Sequence, residues 1–180
     1  SEYYPWFIKK DHPELIDRFH IPLDEYPRRC RDQIALWKQQ AEHLVHNENL
    51  THTRSSEYAA GIIEALETGR TFGFAGNVLN TGLIDNLPFD ACVEVSCMVN
   101  EGHLYPCHMG PLPNQLAALN RRQIEVHQLT VDAALTRKKE YIYQAAMLDP
   151  HAGSELTIDE IRSLVDDLIQ AHGDWLPEYH

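Results

Sequence analysis

The sequence predicts an α+β fold in which helices flank a small mixed sheet. Polar and apolar residues alternate around Val93, Val95, Cys97 and Val99, as in a strand with one buried face. Elsewhere apolar residues recur at helical spacing, most clearly from 114 to about 135 and again from 158. A chain of 180 residues can bury a core of its own, and we expect residues 1–180 to form a single domain.

The first half of the chain predicts two principal helices. Pro27 suits the first turn of a helix that runs to about Asn47. Its apolar residues recur at helical spacing: Cys30, Ile34, Trp37, Ala41, Leu44 and Val45. A second helix is expected to be capped by Ser55 or Ser56 and to end at Gly69.

The middle of the chain predicts the sheet. Strands are expected at Thr71–Val78, near 91–99 and near 103–109, the last two joined through Asn100-Glu101-Gly102. The first two flank the stretch Gly76–Pro88, which contains three asparagines and two glycines. These residues tolerate sharp turns, so the stretch is either a small-molecule site or an ordinary hairpin loop.

Helices return after Pro113. We expect one from Asn114 to about Leu135 and another over about Lys139–Met147, ended by Asp149-Pro150. Thr157 and Glu160 form a capping box for a last helix that ends near His172-Gly173. Its apolar stripe is Ile158, Ile161, Val165 and Leu168.

Composition excludes several classes of partner. The net charge of −12, with scattered lysines and arginines, gives no footprint for nucleic acid or an anionic membrane. No apolar run has the length of a membrane span and no signal-peptide pattern begins the chain, so we expect a cytoplasmic protein. The four cysteines lack metal-site spacing and are interpreted as reduced thiols. Cys107-His108 is interpreted as part of a half-buried strand rather than a metal site.

Local chemistry leaves two further alternatives open. Tyr3 and Tyr4 are packing residues unless nearby positive charge lowers a phenol pKa enough to make a base. Residues 54–57 lie at an expected helix N-terminus. They either bind an anionic or hydroxyl-rich ligand there or only cap the helix. No dinucleotide-binding GxGxxG, Walker loop, GxSxG or HExxH motif occurs.

Several longer segments, taken together, resemble glycoside hydrolase family 4, and within it the melibiase-like α-galactosidases. The resemblance runs in order along the chain, through Tyr3-Tyr4-Pro5-Trp6-Phe7, Thr53-Arg54-Ser55-Ser56-Glu57-Tyr58, the stretch Gly76–Pro88, Ala91-Cys92-Val93-Glu94-Val95, Met147-Leu148-Asp149-Pro150-His151 and Ala171-His172-Gly173-Asp174-Trp175-Leu176-Pro177.

The resemblance implies the C-terminal, lactate/malate dehydrogenase-like domain of such an enzyme, without the NAD-binding Rossmann half that precedes it in the family. The full-length enzyme is expected to use NAD and Mn²⁺, bound mostly by groups outside this chain. The resemblance implies that this enzyme hydrolyses α-galactosides through oxidation at C3, loss of the C2 proton and elimination, outside the two-carboxylate scheme. The chain by itself is expected to be inactive and to form homo-oligomers.

The resemblance also implies roles for individual residues. Tyr3 is the expected catalytic base, with adjacent Tyr4 as the alternative. Arg54, Asn77 and Asn80 are expected near the sugar and the metal, and Gly82 at the turn that shapes the loop. No residue of this chain is assigned to a metal or cofactor. The alternatives are an α-galacturonidase or α-glucosidase of the same family, and a non-catalytic sugar-binding or assembly module.

Overall fold

The structure is a computed structural model that describes residues 4–46, 51, 53 and 55–180. The described residues group into two compact units. One comprises residues 6–57, and the other comprises residues 58–180 together with residues 4 and 5. That residues 1–180 act as a single domain stays a prediction.

The smaller unit contains two helices, α1 (Glu14–Arg18) and α2 (Glu25–His46). The rings of Phe7 and Phe19 pack edge to face with centroids 5.2 Å apart. Helix α2 begins two residues before the predicted Pro27 and follows the predicted length. None of its residues is buried, although the apolar spacing is that of a packed helix.

The larger unit begins with α3 (Ala59–Thr68), and here one prediction is wrong. The residue before the helix is Tyr58, with no side-chain cap, so neither Ser55 nor Ser56 caps it. The Ser55 hydroxyl instead accepts a hydrogen bond from the Glu57 amide at 3.4 Å, a local turn that competes with helix formation. The predicted end is confirmed, because Gly69 is left-handed with φ +72°.

The sheet has three strands, β1 (Phe72–Leu79), β2 (Cys92–Asn100) and β3 (His103–Pro106), in the order β1-β2-β3. Both pairs of neighbouring strands are antiparallel. The described sheet is therefore antiparallel throughout, whereas the sequence predicted a mixed sheet. The connections agree with this pairing, because a two-residue turn joins β2 to β3 and the twelve residues between β1 and β2 contain no helix that could form the crossover of parallel neighbours. The α+β class itself is confirmed.

The predicted alternation along β2 is confirmed, and it places the core on one face of the sheet. Val93, Val95, Cys97 and Val99 are all buried. Val93, Val95 and Cys97 form one buried cluster with three residues of the β1–β2 connection and one of the next helix: Ile84, Leu87, Ala91 and Ala117. The opposite face carries exposed Asn77 and Glu94, which pair across the two strands.

Four helices follow: α4 (Asn114–Thr136), α5 (Lys139–Leu148), α6 (Ala152–Glu155) and α7 (Ile158–His172), and then a 3-10 turn over Gly173–Trp175. Helix α4 packs on α5, and α5 packs on α7. The capping box is confirmed, since the Glu160 amide donates to the Thr157 hydroxyl at 3.3 Å and the Thr157 amide to the Glu160 carboxylate at 2.7 Å. Of the α7 stripe, Ile161 and Val165 are buried, whereas Ile158 and Leu168 are exposed.

Candidate functional site

The β1–β2 loop, residues 80–91, is organised around the side chain of Asn80. This amide is completely buried. Its nitrogen lies 3.1 Å from the Ile84 carbonyl oxygen, 3.2 Å from that of Leu87 and 2.9 Å from that of Pro88. Its oxygen accepts from the Ile84 amide at 2.9 Å. One side chain therefore adds to the backbone bonds by which the Leu87 amide reaches the Ile84 carbonyl and the Ala91 amide reaches the Pro88 carbonyl.

A second asparagine fixes the loop to the segment before α4. The Asn86 side chain donates to the Leu112 carbonyl at 2.8 Å and accepts from the Leu112 amide at 2.9 Å. Arg121 of α4 donates to the Asn86 carbonyl at 2.7 Å. The loop is thus tied to two other parts of the larger unit, which is how a turn-rich segment acquires a defined shape.

Gly82 lies at the exposed tip of this loop, with φ +90°. A Cβ built at this glycine meets no atom within 4 Å, so the reason for glycine is the backbone angle rather than crowding. The turn expected at Gly82 is therefore present. Contact of this residue with a sugar stays a prediction.

An exposed polar pair borders the loop. His108 Nε2 lies 2.8 Å from Asp85 Oδ1, and both side chains are about half exposed. The Met109 amide donates to the Leu83 carbonyl at 2.7 Å beside this pair. Carboxylate and imidazole at such a rim are hydrogen-bonding groups for a hydroxylated ligand. The prediction that Cys107-His108 belongs to a half-buried strand is wrong, because β3 ends at Pro106 and its four residues are exposed, although the Cys107 amide still donates to the Ser96 carbonyl at 2.8 Å.

The structure places the two predicted asparagines in different surroundings. Asn77 is exposed on the outer face of β1, opposite Glu94, and its amide is accessible to a ligand. Asn80 is inside the loop, where all its donors are engaged. Its role in sugar binding stays a prediction, and its observed role is to hold the loop.

The remaining predicted site residues lie mostly outside the described part of the chain. Tyr3 and Arg54 are not among the described residues, so their expected roles stay predictions. Tyr4 is half-buried. Residues 55–57 lie two to four positions before the first residue of α3, so their amides are not the N-terminal amides of that helix.

Within the described residues, no group of three histidine, cysteine, aspartate or glutamate side chains could hold a metal ion. A groove of about 490 Å³ lies between the end of the β1–β2 loop and α4. Asp90 and Cys92 line one side of it, and Glu125, His127 and Asp132 line the other. Among the helices that the structure describes, none is long and apolar enough to cross a membrane.

Comparison with known proteins identifies the family. A sequence model of the family 4 glycosyl hydrolase C-terminal domain matches residues 1–152. The chain belongs to glycosyl hydrolase family 4. Over 179 residues it is 58% identical to an alpha-galactosidase of Bacillus subtilis, and over 189 residues 31% identical to an alpha-galactosidase of Rhizobium meliloti.

These alignments cover 99% of this chain but 41% and 38% of the two relatives. The chain therefore spans about two fifths of the length of the family 4 proteins it matches. A solved 6-phospho-alpha-glucosidase from gut microorganisms, in complex with NAD and Mn²⁺, superimposes with a TM-score of 0.70 at 22% identity. That superposition covers 83% of this chain and 34% of the other, and it supports the fold of a family 4 C-terminal domain.

Sequence reasoning missed the Asn86 clamp and the Asp85–His108 pair. Asn86 and Leu112 are 26 residues apart, and Asp85 and His108 are 23 apart. Such pairs depend on the tertiary fold rather than on local spacing. The one available signal was the density of asparagine in the loop. It marked the position of the loop but not the residues with which the loop side chains form hydrogen bonds.

Proposed function

We propose that this chain is the C-terminal part of an NAD- and Mn²⁺-dependent α-galactosidase. The observation that carries the proposal is the 58% identity to the Bacillus subtilis alpha-galactosidase over 99% of this chain. The Rhizobium meliloti alpha-galactosidase, similar over the same extent, supports the same sugar. The sugar and the reaction belong to the full-length protein, of which this chain supplies the smaller share.

The described residues do not fit a metal site, since they contain no cluster of three suitable ligands. The sequence also lacks the glycine-rich motif that cradles a dinucleotide. NAD and Mn²⁺ are therefore proposed for the full-length enzyme, as the NAD and Mn²⁺ complex of a structural relative suggests. No step through either group is derived from this chain.

The proposed contribution of this chain is to bind the sugar and to move one proton. Tyr3 is proposed to take a proton from the sugar ring, with Tyr4 as the alternative. Arg54 and Asn77 are proposed to orient the sugar hydroxyls, while Gly82 shapes the loop beside them. Asn80 is proposed to act on the sugar through the loop that it holds together. This indirect role is supported by the side-chain amide of Asn80, which is fully buried and hydrogen-bonded within the loop.

We also propose that the protein is cytoplasmic. Its four cysteines are all unpaired in the structure, which supports the reducing environment of the cytoplasm.

Homo-oligomerisation is likewise proposed, because this chain has many exposed apolar side chains.

The test is hydrolysis of matched chromogenic glycosides by the full-length protein with NAD⁺, Mn²⁺ and a thiol reductant. An α-galactoside, an α-galacturonide and an α-glucoside differ only in the sugar, so their kcat/KM values identify it. We expect the α-galactoside to be hydrolysed fastest, chelation of the metal to abolish turnover, and the 180-residue chain to be inactive. A preference for the galacturonide would replace the proposed sugar. Turnover by the 180-residue chain would overturn the proposed need for the rest of the enzyme.

A further inference from the structure

The hydrogen-bonded side chains of Asp85 and His108, which we call the rim pair, join two segments of the larger unit. Asp85 belongs to the β1–β2 loop, and His108 belongs to the segment that follows β3. Two backbone hydrogen bonds hold the same segments together. The Met109 amide donates to the Leu83 carbonyl at 2.7 Å, and the Asp85 amide donates to the Gly110 carbonyl at 3.3 Å. The rim pair is therefore built on a fixed backbone rather than on a free loop end.

The rim pair has unused hydrogen-bonding capacity. Its bond joins His108 Nε2 to Asp85 Oδ1 and occupies one atom of each side chain. Among the described residues, Asp85 Oδ2 and His108 Nδ1 have no hydrogen-bond partner. The side chain of Asp85 is 49% exposed and that of His108 is 62% exposed. Asp85 is therefore available to a ligand, whereas Asn80 and Asn86, on either side of it in the loop, are engaged within the protein.

We propose that Asp85 makes the full-length enzyme selective for a neutral sugar by lying beside the C6 substituent of the bound galactoside, and that His108 positions its carboxylate. This inference deepens the proposed function and rests on it, because it takes the sugar to bind at the β1–β2 loop. A galactoside carries a hydroxyl at C6, which can donate a hydrogen bond to the second carboxylate oxygen of Asp85. The carboxylate then accepts a proton that an ionised C6 carboxylate does not carry.

The charge of Asp85 is what rejects an acidic sugar. A galacturonide has a carboxylate at C6, and this group is ionised at neutral pH. Beside Asp85 it would place two negative charges together, so rejection comes from a repulsive contact as well as from a lost hydrogen bond. The guanidinium of Arg121 reaches the same loop, but its hydrogen bond is to the Asn86 carbonyl and not to the rim pair. The net charge of −12 adds to the repulsion of an anion.

His108 determines where the negative charge of Asp85 lies. A surface aspartate can occupy several rotamers, and the imidazole at 2.8 Å holds one carboxylate oxygen and leaves the other to the ligand. The rim pair does not have to be open to bulk solvent for this role, because a bound sugar would itself cover it. The role requires that no other part of the full-length protein occupies Asp85 Oδ2. Substitution of Asp85 tests that requirement directly.

The first test compares Asp85→Asn with the unchanged full-length enzyme on the chromogenic α-galactoside and α-galacturonide. Asparagine has the same shape and keeps an oxygen for His108, but it loses the charge. We expect KM to rise for the galactoside and to fall for the galacturonide. The ratio of kcat/KM for the galactoside to that for the galacturonide should therefore fall at least about tenfold. Where turnover of the galacturonide is too slow to measure, the inhibition constant of galacturonate reports the same contact.

The matched control is Glu101→Gln, which removes the same charge from the β2–β3 turn, at the opposite end of the sheet. It should leave the ratio unchanged, and circular dichroism checks that both variants are folded. A ratio unchanged by Asp85→Asn, or an equal loss of kcat/KM for both substrates, would overturn this inference alone when the unchanged enzyme prefers the galactoside. An unchanged enzyme that prefers the galacturonide would overturn the proposed sugar and this inference together.

The second test addresses the positioning role of His108. His108→Gln keeps a side-chain amide that can donate to Asp85, whereas His108→Ala leaves the carboxylate without this partner. We expect the ratio of the two kcat/KM values to be retained in His108→Gln. In His108→Ala it should fall in the same direction as in Asp85→Asn, by a smaller factor. A ratio that is the same in His108→Ala as in the unchanged enzyme would exclude His108 as the positioning residue.

Discussion

The side-chain nitrogen of Asn80 lies 2.9 Å from the carbonyl oxygen of Pro88, and this contact closes a loop of twelve residues between two strands. The same buried nitrogen lies 3.1 Å from the Ile84 carbonyl oxygen and 3.2 Å from that of Leu87, so one amide joins several turns of the loop. Asn80 is therefore the residue on which the shape of the candidate site depends most.

Asn80→Ala should be strongly destabilising. The substitution removes a buried side-chain partner from the Ile84 amide and from three carbonyls, of which those of Ile84 and Pro88 keep a backbone donor, and we expect a loss of about 2–4 kcal/mol in the free energy of unfolding. Asn77→Ala is the matched control, three residues earlier on the exposed face of β1, and should change stability by about 0.5 kcal/mol or less. Urea unfolding followed by circular dichroism measures both. Equal effects of the two substitutions would contradict the role given to Asn80.

Gly61→Ala should destabilise the protein even though alanine is the better helix former. An added Cβ would lie 2.5 Å from Cε2 and Cζ of Phe72, whose ring packs on Phe74. Overpacking outweighs the gain in helix propensity, and we expect a net loss of about 1–2 kcal/mol. In a Phe72→Leu background the same substitution should be nearly neutral. An unchanged penalty in that background would show that the ring is not the obstacle.

Thr157→Ala removes the capping box of α7 and should lower the free energy of unfolding by about 1 kcal/mol. The Glu160 amide then loses the threonine hydroxyl as its partner. Thr157→Ser, which keeps a hydroxyl, should retain most of the stability. Thermal unfolding of the three proteins compares them, and a serine variant as unstable as the alanine variant would exclude capping as the cause.

Asp166 should make stability depend on pH in the acid range. Its carboxylate accepts hydrogen bonds from the Tyr143 hydroxyl and the Lys139 ammonium, and these hold the pKa of Asp166 below its usual value of 3.8. Because folding lowers this pKa, the stabilisation is fully present above the unfolded pKa and is lost as the pH falls through the folded pKa.

Asp166→Asn should therefore be less stable than the unchanged protein at pH 7, and the difference should shrink as the pH falls below about 4. Unfolding midpoints at a series of pH values measure this difference. Asp167→Asn, at the adjacent exposed position, is the control. A difference that stays constant down to pH 2 would mean that the interaction does not involve the ionised carboxylate.

Tyr3→Phe in the full-length enzyme should lower kcat by at least about 100-fold, because general bases typically contribute that much or more. Tyr4→Phe is the matched control at the adjacent position and should have a much smaller effect. Both are measured on the α-galactoside with NAD⁺ and Mn²⁺ present. The reverse ranking would assign the base to Tyr4.

Sequence patterns predicted the elements whose cause is local. The alternation along β2, the left-handed Gly69 and the Thr157–Glu160 capping box each depend on residues within one element, and all three are confirmed. The serine caps expected for α3 are wrong because serine also forms turns with its own neighbours, and the sequence does not show which bond is made.

The sequence predicted where the candidate site lies along the chain, but not the side-chain contacts that form it. Asparagines and glycines marked the β1–β2 loop, yet they did not show that Asn80 faces inward while Asn77 faces outward. Which asparagine faces inward depends on the tertiary contacts that form once the two strands have paired, and a local sequence pattern does not show these contacts. Periodicity likewise predicted α2 without showing whether its apolar side is buried within the same chain.

The Asn80 and Asn86 clamps bear on the thermodynamics of the proposed sugar binding. A flexible loop must lose conformational entropy when it closes on a ligand, and that loss is subtracted from the affinity. Here the loop conformation is already fixed by bonds within the protein, so its ordering is part of folding rather than of recognition. Binding at this rim should accordingly proceed with little change in the backbone, as it does in rigid lock-and-key sites.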